Sequence, residues 1–223
     1  AELADLAEPT RGATGVAGLW DGWSGAALVH VRAYDVTADA TWLERADRAL
    51  RRDLDQCVDA AGGALHVADP DQPGTLPYVG RGSAGIALAA QALAARAPWM
   101  SSTEALPALL AACRAEFVAH AGFGQGAAGL LYALLPASSA TPPSGAGGTE
   151  AVREAIARHV SALDRHVVPL GDGTGVAGHQ LLRLSLDLET GNAGVLLALQ
   201  SARTGDPGLP LPRLRCPTAA LTP

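Results

Sequence analysis

Four copies of a Gly-x-small-Gly step constrain this chain more than any other feature: Gly22-Trp23-Ser24-Gly25, Gly82-Ser83-Ala84-Gly85, Gly126-Ala127-Ala128-Gly129 and Gly191-Asn192-Ala193-Gly194. Each leads straight into a mostly apolar run, for example Ile86-Ala87-Leu88-Ala89-Ala90 or Val195-Leu196-Leu197-Ala198-Leu199. Two glycines one turn apart at a helix start leave a bare face on which another backbone can sit, and glycine takes the φ > 0 geometry of a tight entry turn. The runs that follow are apolar almost all round, as expected of buried inner helices. Such self-similarity marks stacked supersecondary units, none of which buries its apolar face alone. The uneven spacing of Gly22, Gly82, Gly126 and Gly191 points to a fixed unit joined by variable loops.

Amphipathic segments separate the glycine units. Residues 40–57 carry Leu43, Ala46, Ala49, Leu50, Leu54 and Cys57 at helical spacing, with Asp47–Arg51 as an i,i+4 pair on the other face. Residues 106–120 repeat the pattern with Leu106, Leu109, Leu110, Cys113 and Phe117, and residues 149–165 with Val152, Ile156, Val160 and Leu163. Ser101 and Glu104 have capping-box spacing, although Pro107 is suited to a first turn and moves the start later. These read as outer helices alternating with the inner ones. The alternating stretch Ala64-Leu65-His66-Val67 reads as a short strand, residues 136–148 as a surface loop, and residues 206–223 as an irregular tail after a single unit over 1–205.

Composition excludes several classes. The chain has 223 residues, 48% of them apolar and 17% charged, which is ample for a core. All 16 basic residues are Arg, yet the formal net charge is −6, so neither a nucleic-acid nor an anionic-membrane surface is expected. The apolar runs fall short of the roughly 20 residues a spanning helix needs, and no signal sequence opens the chain, so a cytoplasmic protein is expected. Cys57, Cys113 and Cys216 are widely spaced and form no CxxC, which argues against a disulfide framework or a cysteine-rich zinc site. Cys57 and Cys113, on apolar stripes, read as small core groups.

Alternating inner and outer helices suggest an all-α fold of the α/α-toroid type, a double ring of which about four repeats are present, with short β segments in the connecting loops. The inner-helix N-termini would then converge on one rim, where free N–H groups and positive dipole ends favour an electronegative group. Residues just before each motif matter most there, among them Trp20, Asp21, Arg81 and Gln125. Asp21 also fits an ordinary N-cap, Arg81 a rim ion pair, Gln125 a loop-bonding residue, and Trp20 and Trp23 simple packing.

At this point a resemblance is specific. The segments Gly18-Leu19-Trp20-Asp21-Gly22-Trp23-Ser24-Gly25, Gly80-Arg81-Gly82-Ser83-Ala84-Gly85 and Leu186-Asp187-Leu188-Glu189-Thr190-Gly191-Asn192-Ala193-Gly194 resemble the later repeats of the lanthionine synthetase C-like (LanC-like) cyclases. The similarity is greatest to the C-terminal cyclase domain of class III lanthipeptide synthetases, and it covers about four of seven repeats. It implies addition of peptide cysteine thiols to dehydroalanine or dehydrobutyrine, giving (methyl)lanthionine or labionin rings. The implied partners are a precursor peptide, upstream lyase and kinase domains and the remaining toroid repeats, with ATP or GTP belonging to the kinase alone.

Zinc-dependent members have a Cys two positions before one repeat's glycine and a Cys-His pair directly before the next. Here those positions hold Gly80, then Gly124 and Gln125, none of them a ligand, so no cofactor is expected in this chain. A family His that precedes the glycine of an earlier repeat is matched by Asp21. Asp21 then becomes the candidate base, Arg81 the cation for the enolate oxygen, and Tyr78 and His179 candidate acids. Trp20, Trp23 and Gln125 are the candidate substrate contacts. The competing expectation is a toroid that binds peptide without catalysis. A glycoside-acting toroid is disfavoured because aromatics make up only 4% of the chain.

Overall fold

The computed structural model describes residues 15–71, 73–139, 146–178 and 181–205. Among these, seven α-helices and five short strands alternate along the chain. The inner helices are α1 (Ser24–Thr37), α3 (Ser83–Ala94), α5 (Ala127–Ser139) and α7 (Asn192–Thr204), each opened by a glycine motif. The outer helices are α2 (Thr41–Leu54), α4 (Leu106–Ala112) and α6 (Ala146–Asp164). A three-stranded antiparallel sheet of β1 (Cys57–Ala60), β2 (Ala64–Ala68) and β3 (Thr75–Leu76) precedes α3, and the hairpin of β4 (Val167–Leu170) and β5 (Gly173–Val176) precedes α7. No helix among the described residues is long and apolar enough to cross a membrane.

Packing follows the hydrophobic patterning. The inner helices form a row in which α1 meets α3, α3 meets α5 and α5 meets α7; α2 covers α1 and α3, α4 lies on α3, and α6 lies on α5. In α3 every residue from Ser83 to Leu93 except Gln91 is buried, and in α5 Ala127 through Leu135 are all buried. Helix α2 buries Leu43, Ala46, Ala49 and Leu50 and exposes its arginines. These contacts make the interior a continuous two-layer core.

The glycines set the register. A Cβ built on the second glycine of each motif would strike the carbonyl oxygen six residues upstream: 2.4 Å from Leu19 O at Gly25, 2.2 Å from Val79 O at Gly85, 2.0 Å from Phe123 O at Gly129 and 2.1 Å from Leu188 O at Gly194. The same glycines receive the loop of the preceding repeat. Gly85 lies against Leu19 N, Gly129 against Val79 Cγ2 and Gly194 against Phe123 Cβ. Among the first glycines only Gly82 has positive φ, at +141°; the others are required by close approach rather than by a left-handed backbone.

Each hairpin is tied to the helix it precedes. Val67 N donates to Ser83 Oγ (3.1 Å) and Val176 N to Asn192 Oδ1 (2.6 Å), so the second motif position anchors a strand in both repeats. The β1–β2 turn uses Gly62 and Gly63, both at φ +74°, in keeping with the positive-φ demand of tight hairpins.

The structure corrects several boundaries. The first outer helix ends at Leu54, and Cys57 opens β1 instead of closing the helical stripe. Asp47 is not on the solvent face: it is buried, accepts from Ser102 N (2.9 Å) and pairs with Arg51 (3.1 Å). The second outer helix stops at Ala112, leaving Phe117 80% exposed. Its continuation is needed elsewhere, because His120 O and Ala121 O accept from Ala127 N and Ala128 N at the start of α5. The residues 101–105 form a 3₁₀ turn without a side-chain cap bond. Of the surface loop expected over 136–148, both ends are helical, in α5 and α6. The tail 206–223 and Cys216 lie outside the described residues.

Replacing Gly129 by Ala forces a methyl against Phe123 O and is expected to lower the free energy of unfolding by about 1–3 kcal/mol, the range of core overpacking. Gly62→Ala, where a Cβ meets open space, carries only its positive-φ cost of about 1 kcal/mol. Urea unfolding of the two variants checks this, and equal losses would contradict the close-approach role.

Candidate functional site

The rim is built by backbone before it is built by side chains. The residue two places before each motif hydrogen-bonds its counterpart in the next repeat: Trp20 N to Gly80 O (3.1 Å), Gly80 N to Gly124 O (2.8 Å) and Gly124 N to Glu189 O (2.8 Å). Leu19 N to Val79 O (3.0 Å) and Gly82 N to Ala17 O (2.7 Å) reinforce the first step. One ladder therefore gathers four loops that are far apart in sequence.

On this ladder lies the Trp20 indole. A Cβ on Gly80 would fall 2.6 Å from Trp20 Cε3, and one on Gly124 would fall 2.2 Å from Cζ3 and 2.4 Å from Cη2. The ring thus fills the space that side chains at residues 80 and 124 would need. Glu189 Cγ reaches the same spot, 2.8 Å from the Gly124 Cβ position. Trp20 remains 41% exposed.

Charged groups border the ring. Arg81 Nε lies 3.4 Å from Asp21 Oδ2, and its Nη2 lies 3.6 Å from Asp71 Oδ2. The Asp21 side chain is 52% exposed, so the burial that a base at this position would call on is missing. Gln125 is exposed beside buried Gly124. Tyr78 is half-buried just below Val79, and burial raises its phenol above the ordinary range. The structure therefore brings Trp20, Asp21 and Arg81 together around Gly80. Trp23 is drawn elsewhere: the Arg52 guanidinium stacks on its ring at 3.9 Å. His179 lies outside the described residues.

The expectation of free helix N-termini at the rim is overturned. Ala84 N and Gly85 N donate to Pro77 O (3.1 Å) and Tyr78 O (3.2 Å), Ala127 N and Ala128 N to His120 O and Ala121 O, and Asn192 N to Ser185 O (2.9 Å). Carbonyls seven residues upstream thus satisfy the first donors of α3, α5 and α7. Nor does Asp21 cap α1, which opens at Trp23 without a side-chain bond from its own cap residue.

Asp53, which sequence reasoning missed, supplies that first turn. Its fully buried carboxylate accepts from Gly18 N (3.2 Å), Trp23 N (2.8 Å), Ser24 N (2.7 Å) and Ser24 Oγ (2.6 Å). Burial pushes its pKa above the ordinary 3.8, and the bonds from Ser24, Trp23 and Gly18 oppose that shift. The signal was an acid set on the apolar stripe of α2, one turn after Leu50. In the fourth repeat Asp187 plays a local version of this part, exposed and held down to about 2 by bonds from Ser185 and Thr190.

Among the described residues no cluster of three or more His, Cys, Asp or Glu is placed to hold an ion, and the Trp20 ring fills the space where ligands at residues 80 and 124 would project. The two described cysteines are not nucleophiles. Burial pushes the Cys57 and Cys113 thiols up to about 12, so neither supplies thiolate near neutrality.

These features define a mostly α-helical chain built from four glycine-led units, with Trp20, Asp21 and Arg81 gathered around Gly80. No protein-family model matches it. It is 37% identical over 201 residues, 88% of its own length, to a protein named probable SapB synthase from Streptomyces coelicolor (strain ATCC BAA-471 / A3(2) / M145). The chain spans only 21% of that protein's length.

Two outcomes follow. Asp53→Ala leaves four donors without their acceptor and is expected to cost about 3 kcal/mol in urea unfolding. Because Asp53 binds its proton more readily folded than unfolded, its contribution to stability is smallest above its raised folded value and grows as pH falls through it toward 3.8. The gap between wild type and Asp53→Ala should therefore widen on mild acidification, and a gap that narrows would contradict the burial-driven shift. Separately, native protein at pH 7.5, a value at which only about one thiol in ten of an unperturbed cysteine is ionised, should leave Cys113 unmodified by iodoacetamide until denatured; rapid native alkylation there would contradict its burial.

Proposed function

We propose that this chain is part of the cyclase of a class III lanthipeptide synthetase, four repeats of a LanC-like α/α toroid that closes with further repeats of the same polypeptide. The observation that carries the reading is the 37% identity to probable SapB synthase across 88% of the chain. The backbone ladder that gathers one rim from four repeats supports it, since a peptide-modifying site needs groups from several units converging. The substrate is a dehydrated precursor peptide, delivered by linked lyase and kinase domains.

The reaction is a conjugate addition. A cysteine thiol gives up its proton, its sulfur bonds to the β-carbon of dehydroalanine or dehydrobutyrine, and the C=C pair moves onto the carbonyl oxygen as an enolate. The enolate then collapses as a proton is returned to the α-carbon, so the thioether holds every atom of both reactants. Arg81 is the cation for the enolate oxygen and Asp21 the base for the thiol proton, with Tyr78 or His179 returning it. The Asp21–Arg81 pair at 3.4 Å keeps acceptor and cation adjacent, so a thiol and an enolate oxygen can be served from one edge of the rim. Zinc has no part in this reading, which is favoured by the Trp20 ring over Gly80 and Gly124.

A second reading is a toroid that holds peptide for the linked domains without catalysis. The exposure of Asp21 and the sharing of Arg81 between Asp21 and Asp71 favour it, because neither group is desolvated for proton transfer. Incubating the intact protein with a pre-dehydrated peptide separates the two. Thiol loss above the uncatalysed rate supports the cyclase, and binding without acceleration supports the scaffold. Within the cyclase reading, Asp21→Asn should slow thiol loss about 100-fold, the scale of general base catalysis; an unchanged rate removes Asp21 from the mechanism.

A further inference from the structure

The Trp20 indole is held as a platform. Its benzo edge lies against Gly80 and Gly124 where their Cβ atoms would stand, the Trp20 main-chain N–H donates to Gly80 O (3.1 Å), and the residue is still 41% exposed. Ring orientation is therefore imposed by two backbones instead of chosen by the side chain, which is the condition for a pre-organised binding surface. A buried packing tryptophan would have no such open surface.

The border of the platform is equally specific. Arg81, next to Gly80 and shared between Asp21 and Asp71, offers donors, and Asp21, next to Trp20, offers an acceptor. The complement is a flat, neutral group with one carbonyl oxygen and one N–H at its edge. Among peptide residues an α,β-unsaturated amide meets that description. Conjugation makes its Cβ, Cα, carbonyl and neighbouring nitrogen coplanar, whereas a saturated residue has a tetrahedral Cα that lifts its side chain out of the peptide plane.

Resting on the cyclase reading above, we propose that Trp20 is the residue that selects the dehydroamino acid, stacking its planar unsaturated amide while Arg81 takes the carbonyl oxygen. The platform distinguishes the acceptor from its alcohol precursor and from the finished thioether, both of which have a tetrahedral Cα. Addition of the thiol itself breaks the planarity, so product is released as a consequence of the bond that forms. Trp20 acts here as a positioning and specificity residue and takes no proton.

The test uses the full-length protein and two small probes, N-acetyl-dehydroalanine N-methylamide and N-acetyl-alanine N-methylamide, with binding followed by ligand-observed NMR. Wild type and Trp20→Phe should hold the unsaturated probe about tenfold more tightly than the saturated one, the scale of one aromatic stack. Trp20→Leu should lose that preference and, with a dehydrated peptide, show a raised KM at a kcat within about twofold of wild type, since stacking acts before the chemical step. Equal binding of the two probes by wild type overturns the proposal without recourse to any variant, and so does a Trp20→Leu protein with unchanged KM. If wild type prefers the unsaturated probe yet consumes no thiol, the cyclase reading fails and the platform stands. If Trp20→Leu cyclises with wild-type KM, the platform fails and the cyclase reading stands.

Discussion

The architecture depends on one close approach: the second glycine of each motif meets a backbone carbonyl six residues upstream, at a distance no Cβ tolerates. That contact folds the entry loop back over the first turn of the inner helix, and carbonyls one residue further upstream can then satisfy the helix's first donors in α3, α5 and α7. The loop so fixed presents its preceding residues edge-on to the next repeat. The ladder through Trp20, Gly80, Gly124 and Glu189 follows from the same geometry, and with it the rim. A packing requirement of glycine thus determines where the rim residues stand.

Much of this was legible in sequence because the glycine requirement is local. Motif position predicted the start of α1, α3, α5 and α7, and apolar spacing predicted α2 and α6. What escaped were interactions between segments distant in sequence. Asp53 looked like a break in the stripe of α2, when it is the acceptor for the first turn of α1, about 30 residues earlier. The second outer helix looked longer than it is because Cys113 and Phe117 kept the period, while the backbone from His120 onward was committed to α5.

The candidate site shows the same division. Trp20, Asp21 and Arg81 could be named from their position before the motifs. Their mutual arrangement could not, because it is set by two residues with no side chain at all. Gly80 and Gly124 read in sequence only as missing ligands; in the structure they are the seat of the Trp20 ring. The rim's helix N-termini, by contrast, looked available for an anion and are occupied by main-chain carbonyls, a matter of loop geometry that residue types do not encode.

The proposed cyclase, with the Trp20 ring over Gly80 and Gly124 and the Asp21–Arg81 pair beside it, calls for thiol activation by proton transfer and charge placement without zinc. The most direct measurement is therefore the rate of thiol loss from a pre-dehydrated peptide with the intact protein, before and after exhaustive removal of metal by a chelator. A zinc-free rim predicts the same accelerated rate in both states. A rate that drops to the uncatalysed level on stripping and returns on adding zinc would contradict it.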